Sequence, residues 1–412
     1  MIIKRDQYLH KLIIRMNNGM VKVITGLRRS GKSFLLFNIF KNYLLKNNVD
    51  ENHIIEINFD AIENEYLQES MNCYNHIKNK IIDNDIYYIL LDEIQLLKKF
   101  ESVLNSFLKL PNVDIYVTGS NAKFLSKDVI TEFRGRGDQV HIYPLSFSEF
   151  YSVYNGDKYD ALTDYMYYGG LPMITKMKEH IQKAEYLNNL FNETYLKDIV
   201  NRNNIKNDVE LEELLNVLSS NIGSLTNPKK ISNTFKSIKN VNLSEPTVKK
   251  YIEYLVDSYL ISKTIRYDIK GKKYIDTPAK YYFTDLGLRN ARLKFRQLED
   301  THLLENLIYN ELLIREYNVD IGAVEFYNKD HTKTFLEVDF ICNKIDKKIY
   351  IQSCLSLPDI DKLNQEKKSL ININDSFKKI IITKDNIKKH YTEEGILLIN
   401  IFDFLFDNNC LE

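Results

Sequence analysis

Tryptophan is absent from the 412 residues, and proline (7), methionine (7) and cysteine (4) are scarce. Cys73, Cys342, Cys354 and Cys410 are far apart and form no CxxC pair. That argues against structural zinc and against a disulfide scaffold, and makes a reducing cytoplasm the expected location. Net charge is lacking too: 56 Lys and Arg balance 56 Asp and Glu. No global field therefore draws the chain to nucleic acid, and any such contact needs a local basic patch. No apolar run approaches the ~20 residues of a membrane span. The N-terminal MIIKRDQYLHKLIIRMNNG scatters charge among its apolar residues and has no small-residue cleavage site, unlike a signal peptide. Internal repeats and low-complexity tracts are missing as well, and the Trp-poor, Asn/Lys/Ile/Tyr-rich composition reads as genome bias.

What is present is globular: 44% of residues are apolar and 27% charged, proportions that favour packed domains over disorder. The length exceeds one ordinary core, so two or three domains are expected. From Met20 to about Ser148, short apolar runs (MVKVIT, HIIEINF, IYYILL, VDIYVT, QVHIYPL) alternate with amphipathic segments. That pattern predicts an α/β domain over 1–150, its parallel sheet covered on both faces. Residues 151–204 read as a helical lid or linker, broken at Gly169-Gly170-Leu171-Pro172. Three helical patterns and two alternating strands fill 205–296. Over 297–412 a helix, ENLIYNELLIREY, leads into VEFYN, TFLEVDFIC and KIYIQSCLS. The best boundaries lie near Asn204 and Gln297.

Gly26-Leu27-Arg28-Arg29-Ser30-Gly31-Lys32-Ser33 fits G-x-x-x-x-G-K-[ST], between the β-branched strand Val21, Val23, Ile24 and a helix bearing Phe34, Leu35 and Ile39. In such a loop, backbone N–H groups close around phosphate oxygens at a helix N-terminus. Gly26, Arg29, Ser30, Gly31, Lys32 and Ser33 are the expected ATP-binding residues, with Lys32 on the β and γ phosphates and Ser33 on Mg²⁺. The apolar strand Ile86–Leu91 then delivers Asp92 to the metal shell and Glu93 to the attacking water. Thr118-Gly119-Ser120-Asn121 ends a later strand, at the crevice where such sheets bind ligands. Asn121 or Ser120 is placed there to sense the γ-phosphate or orient water. In Phe133-Arg134-Gly135-Arg136-Gly137 an arginine cannot readily reach its own γ-phosphate but could serve a neighbouring subunit as a finger. Of the two, Arg136 is the better candidate.

With GLRRSGKS, LLDEIQ, VTGSNAKFLS, the GR-x-x-x-x-x-x-PLSFSEF segment and YGGLP, the chain resembles a prokaryotic group of AAA+ ATPases with an uncharacterised C-terminal domain. ENLIYNELL, EVDF and YIQSCLSL resemble that C-terminal region, so the likeness spans essentially the whole chain. It implies Mg-ATP hydrolysis, a subunit-boundary site in a homo-oligomeric ring, and a finger at Arg134 or Arg136. The second sensor arginine common in AAA+ lids has no clear counterpart.

Residues 209–283 resemble a winged helix. Leu211, Leu214, Leu215 and Leu218 form one stripe, and Ile231, Phe235 and Ile238 another. The third helix, capped by Ser244 with Pro246 in its first turn, carries Lys249 and Lys250 outward. The hairpin after it bears Lys263, Arg266, Lys270, Lys272 and Lys273, a DNA-binding composition. The last part resembles a PD-(D/E)xK nuclease fold. Glu305 or Glu311 and Asp339 are its candidate metal carboxylates, but Gln352 and Cys354 stand where the fold's acid and lysine belong, and Cys354 reads as an inert buried thiol. The expectation is therefore an ATPase working on DNA or a DNA-bound complex, with a nuclease-like domain that does not cut. The alternative is a nucleotide-state signalling or scaffold switch acting on protein partners.

Overall fold

The computed structural model describes residues 3–119, 135–206, 208–238 and 243–411. The chain divides into two compact units: Met1–Pro144 with Asp257–Tyr259, and Leu145–Val256 with Leu260–Glu412.

In the first unit the five expected apolar runs become β1 (Val21–Gly26), β2 (Ile54–Asn58), β3 (Tyr87–Asp92), β4 (Val113–Thr118) and β5 (Gly137–Ile142). They pair all-parallel in the order β2-β3-β4-β1-β5. Successive side chains point to opposite faces, and both faces are apolar because helices cover both. Val21, Val23, Ile55, Ile57, Ile89, Leu91, Ile115 and Val117 pack against α4 (Ser70–Lys80) and α5 (Phe100–Phe107). Ile24, Tyr88, Leu90, Tyr116 and Ile142 pack against α1 (Asp6–Ile13) and one long helical run. That run starts as α2 (Lys32–Phe34), passes through a π-helical turn Leu35–Phe40 and ends as α3 (Lys41–Lys46).

The second unit opens with α6 (Phe147–Tyr151), α7 (Lys158–Tyr168) and α8 (His180–Leu190). A second π-helical turn, Phe191–Leu196, joins α8 to α9 (Lys197–Arg202). The glycine pair of YGGLP has a local cause. Gly169 sits at φ +74°, where a Cβ would fall 2.3 Å from the Asp285 carboxylate, and the Gly170 N–H donates to Asp285 at 2.8 Å. Asp285 also caps α13 (Leu286–Arg292) through the Leu288 N–H. Three helices follow the linker as expected: α10 (Asp208–Ser220), α11 (Pro228–Ile238) and α12 (Glu245–Asp257).

The hairpin after them, β6 (Ile261–Asp268) and β7 (Lys273–Phe283), departs from expectation. It is not a free wing. The Arg266–Asp268 end of β6 pairs in parallel with Ile321–Ala323 of β8 (Asn318–Tyr327), so the hairpin forms one edge of an eight-stranded sheet. That sheet continues through β9 (Lys333–Lys344), β10 (Lys347–Cys354), β11 (Lys378–Thr383), β13 (Leu397–Asn400) and β12 (His390–Tyr391). The expected boundary near Gln297 therefore crosses one continuous sheet, with α14 (Asp300–Ile314) packed against it. The buried runs of β11 and β13, with α15 (Ile360–Ile371) and α16 (Ile401–Phe406), complete the unit. Among the described residues no helix is long and apolar enough to cross a membrane.

Candidate nucleotide site

The loop Gly26–Ser33 leaves the carboxyl end of β1 and enters α2, so its backbone donors gather at a helix N-terminus. Gly26 (φ +141°) is required by close approach: a Cβ would lie 2.1 Å from the Ile142 carbonyl oxygen on β5. Gly31 (φ +98°) caps the helix in a conformation that side chains avoid. Lys32 is buried and donates to the carbonyls of Gly26 (3.1 Å) and Leu27 (3.0 Å), which draws its ammonium into the loop's concavity. The fully buried Ser30 hydroxyl makes no hydrogen bond among the described residues. A buried polar atom without a partner is costly, and an incoming phosphate oxygen would supply one. Arg29 stands exposed at φ +65°.

β3 ends at Asp92, beside the loop. The Thr118 hydroxyl at the end of β4 donates to the Asp92 carboxylate, and the Ser33 hydroxyl bonds the same group. Burial pushes the Asp92 carboxyl above its ordinary pKa, opposed by those two hydroxyls. Ser33 and Asp92, expected from sequence to share a cation, thus lie side by side. Oxygen donors of this kind, one a carboxylate, suit Mg²⁺. Glu93 adopts φ +52°, a left-handed conformation rare for this residue type. Its N–H donates to the Thr118 hydroxyl at 3.2 Å, and its carboxylate accepts from the Gln95 amide. Thr118 therefore ties both acids to β4, a role not assigned to it from sequence.

Asn121, Ser120 and Arg134 lie outside the described residues. Arg136 is exposed, and its carbonyl accepts the Val21 N–H at 2.9 Å. It therefore stands at the amino end of β5, while Gly26 and Ile142 pair at the other end. Six residues separate Arg136 from Ile142, the partner of Gly26, and at about 3.3 Å each they put Arg136 roughly 20 Å along the strand from its own phosphate loop.

The second unit gathers charge around β9. Lys280 of β7 is buried, with its ammonium 2.8 Å from Glu305, 2.7 Å from Glu337 and 3.9 Å from Asp339. Burial works against the Lys280 charge, but Glu305, Asp339 and Glu337 outweigh it and hold its pKa above the ordinary value. Burial raises the Asp339 carboxyl well above the usual range, with the Glu305 charge adding to it. Glu305 also accepts from the Tyr282 hydroxyl at 2.7 Å. This corrects two expectations. A lysine is present, supplied by β7 rather than by the Gln352–Cys354 strand. Glu311 is no member of the cluster: it accepts from the Phe147 N–H (2.7 Å) and pairs with Arg315 (2.6 Å). The thiol of Cys354 is buried and pushed up to about 11 by desolvation.

Loop, strand order and acid pair define a P-loop domain of AAA+ type on a parallel sheet. Residues 18–151 match the AAA domain family, and residues 159–299 match a domain of unknown function, DUF8612. An uncharacterised protein of Haemophilus influenzae is 35% identical over 413 aligned positions, covering 98% of each chain. An uncharacterised protein of Methanocaldococcus jannaschii, MJ1544, is 30% identical, covering 98% of this chain and 89% of that one. The chain belongs to the family of these two proteins, and its residues 18–151 form its AAA domain. Among solved structures, Aeropyrum pernix Orc1 in complex with DNA is 12% identical at TM-score 0.33, covering 71% of this chain and 92% of that one. Pyrobaculum aerophilum Cdc6p is 11% identical at TM-score 0.30, covering 71% and 93%. Likeness this distant says nothing about shared function.

Proposed function

We propose that the protein binds and hydrolyses Mg-ATP and couples the cycle to DNA or a DNA-bound complex. The observation that carries the ATPase reading is the convergence of Lys32 and Ser33, after β1, with Asp92 and Glu93, at the end of β3, with Thr118 and Gln95 fixing the acids. Lys32 and the loop N–H groups take the phosphates, leaving the carbonyls of Gly26 and Leu27. Ser33 and Asp92 are the residues that would hold Mg²⁺, which neutralises phosphate charge when bound. Glu93, held by Gln95, orients the attacking water. Arg136, far from its own loop on the edge strand, serves a neighbouring copy in a homo-oligomeric ring.

Support for DNA comes from the second unit. Three helices, the isolated Thr226–Ala279 bridge and the β6–β7 hairpin follow the winged-helix order. Its basic groups are partly spoken for: Lys249 pairs with Glu245 (2.8 Å), Lys263 with Asp276 (2.7 Å) and Lys270 with Glu325 (3.8 Å). Lys250, Lys272 and Lys273 have no ion pair among the described residues and are the stronger phosphate candidates. The test is the ATPase rate with and without single- and double-stranded DNA, for wild type and Glu93→Gln. Stimulation by DNA that Glu93→Gln abolishes is the expected result. Equal rates in the two proteins would sink the catalytic assignment. Rates indifferent to DNA, together with nucleotide-dependent capture of a protein partner, would favour the scaffold-switch reading.

A further inference from the structure

The eight-stranded sheet carries an open cleft of about 580 Å³ that the ATPase reading does not use. Strand register builds one side of it. Asn318 of β8 lies opposite Asn343 of β9, and Asn343 opposite Lys348 of β10, so three polar side chains form a row across three strands. Among the described residues neither carboxamide has a hydrogen-bond partner, and the Lys348 ammonium has no carboxylate. That ammonium instead rests over the rings of Tyr267, Tyr350 and Phe377, at 5.6, 5.2 and 5.4 Å. Ring faces steady a cation without neutralising it, so the charge stays available to an anion.

Tyr267 and Tyr274 pair directly across the hairpin and line the same cleft, their ring centroids 5.1 Å apart. Tyr274 is 61% exposed, unusual for so large a ring. Asp320, the one carboxylate among the described residues lining the cleft, lies 3.4 Å from the Tyr274 hydroxyl that donates to it. Flat aromatic faces suit a planar ring, paired carboxamides suit a donor–acceptor edge, and a lone ammonium suits a single phosphate. An acidic peptide would need several cations, whereas this cleft offers one ammonium and one carboxylate. A lipid tail would meet too many polar groups.

We propose that this cleft binds a nucleotide unit, stacking its base on Tyr274 and Tyr267, meeting its edge with Asn318 and Asn343, and holding its phosphate at Lys348. Lys272 and Lys273 directly precede Tyr274 in the hairpin, so a strand's backbone can run on from the cleft over a basic edge. That the nucleotide belongs to an unpaired DNA strand rests on the DNA reading above.

The experiment measures fluorescence anisotropy of a labelled mixed-sequence single strand, with direct binding of dAMP as a second arm. Lys32→Ala serves as background, so that the phosphate loop takes no nucleotide. Tyr274→Ala and Lys348→Glu, both on the open face, are compared with Lys249→Glu/Lys250→Glu, and circular dichroism checks each fold. The expected result is a loss of strand affinity of roughly tenfold or more in the cleft variants, larger than the loss in the helix variant, where Lys250 meets phosphate only. Loss in the helix variant alone overturns the cleft while leaving the DNA reading intact. Binding of dAMP but not of the strand, lost in Lys348→Glu, supports the nucleotide site and overturns its DNA source. Binding of neither probe overturns both.

Discussion

At the scale of single residues, the candidate site is legible where chemistry demands a fixed spacing and illegible where it depends on register. Gly26, Lys32, Ser33, Asp92 and Glu93 are readable as candidates because a phosphate loop and an acid-tipped strand leave little choice of residue type. Thr118 is not, since a threonine at a strand end has many uses and only the β3–β4 pairing brings it to both acids. Thr118→Val keeps the shape and removes the hydroxyl. It is expected to lower ATP turnover about tenfold to a hundredfold while leaving nucleotide binding near wild type, as read by turnover beside nucleotide titration. Unchanged turnover would make Thr118 a packing residue. Lys32→Ala, by contrast, is expected to abolish nucleotide binding itself. His141 was equally hidden. It pairs in register with Thr25, the residue before Gly26, and its Nδ1 lies 3.1 Å from the Thr25 hydroxyl. Burial, with the Lys32 and Lys11 charges, lowers its pKa from 6.5 to about 3. An unfolded chain takes up this proton as pH falls through 6.5, whereas the folded chain waits until about 3, so stability is lost as pH falls across that window. Denaturant melts at about pH 7.5 and pH 5 should therefore show a smaller acid loss for His141→Gln than for wild type. Equal losses would remove His141 from the account.

At the scale of elements, periodicity located the five strands of the first unit because each is apolar on both faces and bounded by turn residues. It misjudged the hairpin after α12 because alternation reports a half-buried strand and not the neighbour that buries it. Ile261, Thr264 and Asp268 are buried, Lys263 is exposed, and only β8 shows that this pattern serves a long mixed sheet. The missing-lysine argument failed for the same reason: Lys280 reaches Glu305 and Asp339 through β7, from outside the expected segment. The expectation that this centre does not cut DNA now rests on different ground. Lys280, Glu305 and Asp339 are 3%, 8% and 7% exposed, which leaves a phosphodiester little access, and the ammonium already occupies the space among the carboxylates. Supercoiled DNA incubated with the protein in Mg²⁺ or Mn²⁺ should stay intact, and cleavage that disappears in Asp339→Ala would restore the nuclease reading. The cluster's role is then structural. Lys280→Met leaves buried carboxylates unpaired and is expected to destabilise the second unit by about 3–5 kcal/mol. Lys280→Met/Glu305→Gln should recover part of that loss, because one buried charge is removed with its partner. A Lys280→Met protein with wild-type melting would show that the cluster contributes nothing.

At the scale of the whole molecule, the geometry of the first unit bears on assembly. β5 is an edge strand, and Arg136 stands exposed at its amino end, while the phosphate loop leaves the carboxyl ends of the strands. The backbone bond from Val21 holds that end of β5 in place. An arginine finger acts only when its guanidinium meets the γ-phosphate, and a separation of roughly 20 Å along the strand exceeds the reach of one side chain. If Arg136 has a catalytic role, a second copy must bring it to the phosphate. Arg136→Ala should therefore keep nucleotide binding and lose turnover by about 10³-fold or more, as other trans fingers do. The decisive measurement mixes Arg136→Ala with Lys32→Ala. Each protein is inactive alone for a different reason, one lacking the finger and the other the phosphate cation. In a mixed assembly the intact loop of an Arg136→Ala subunit can meet the intact Arg136 of a Lys32→Ala subunit, and turnover returns in part. Recovery should rise and fall with the mixing ratio and vanish on dilution below the assembly concentration. Full activity of Arg136→Ala, or of a monomer at that dilution, would show that catalysis needs no neighbour.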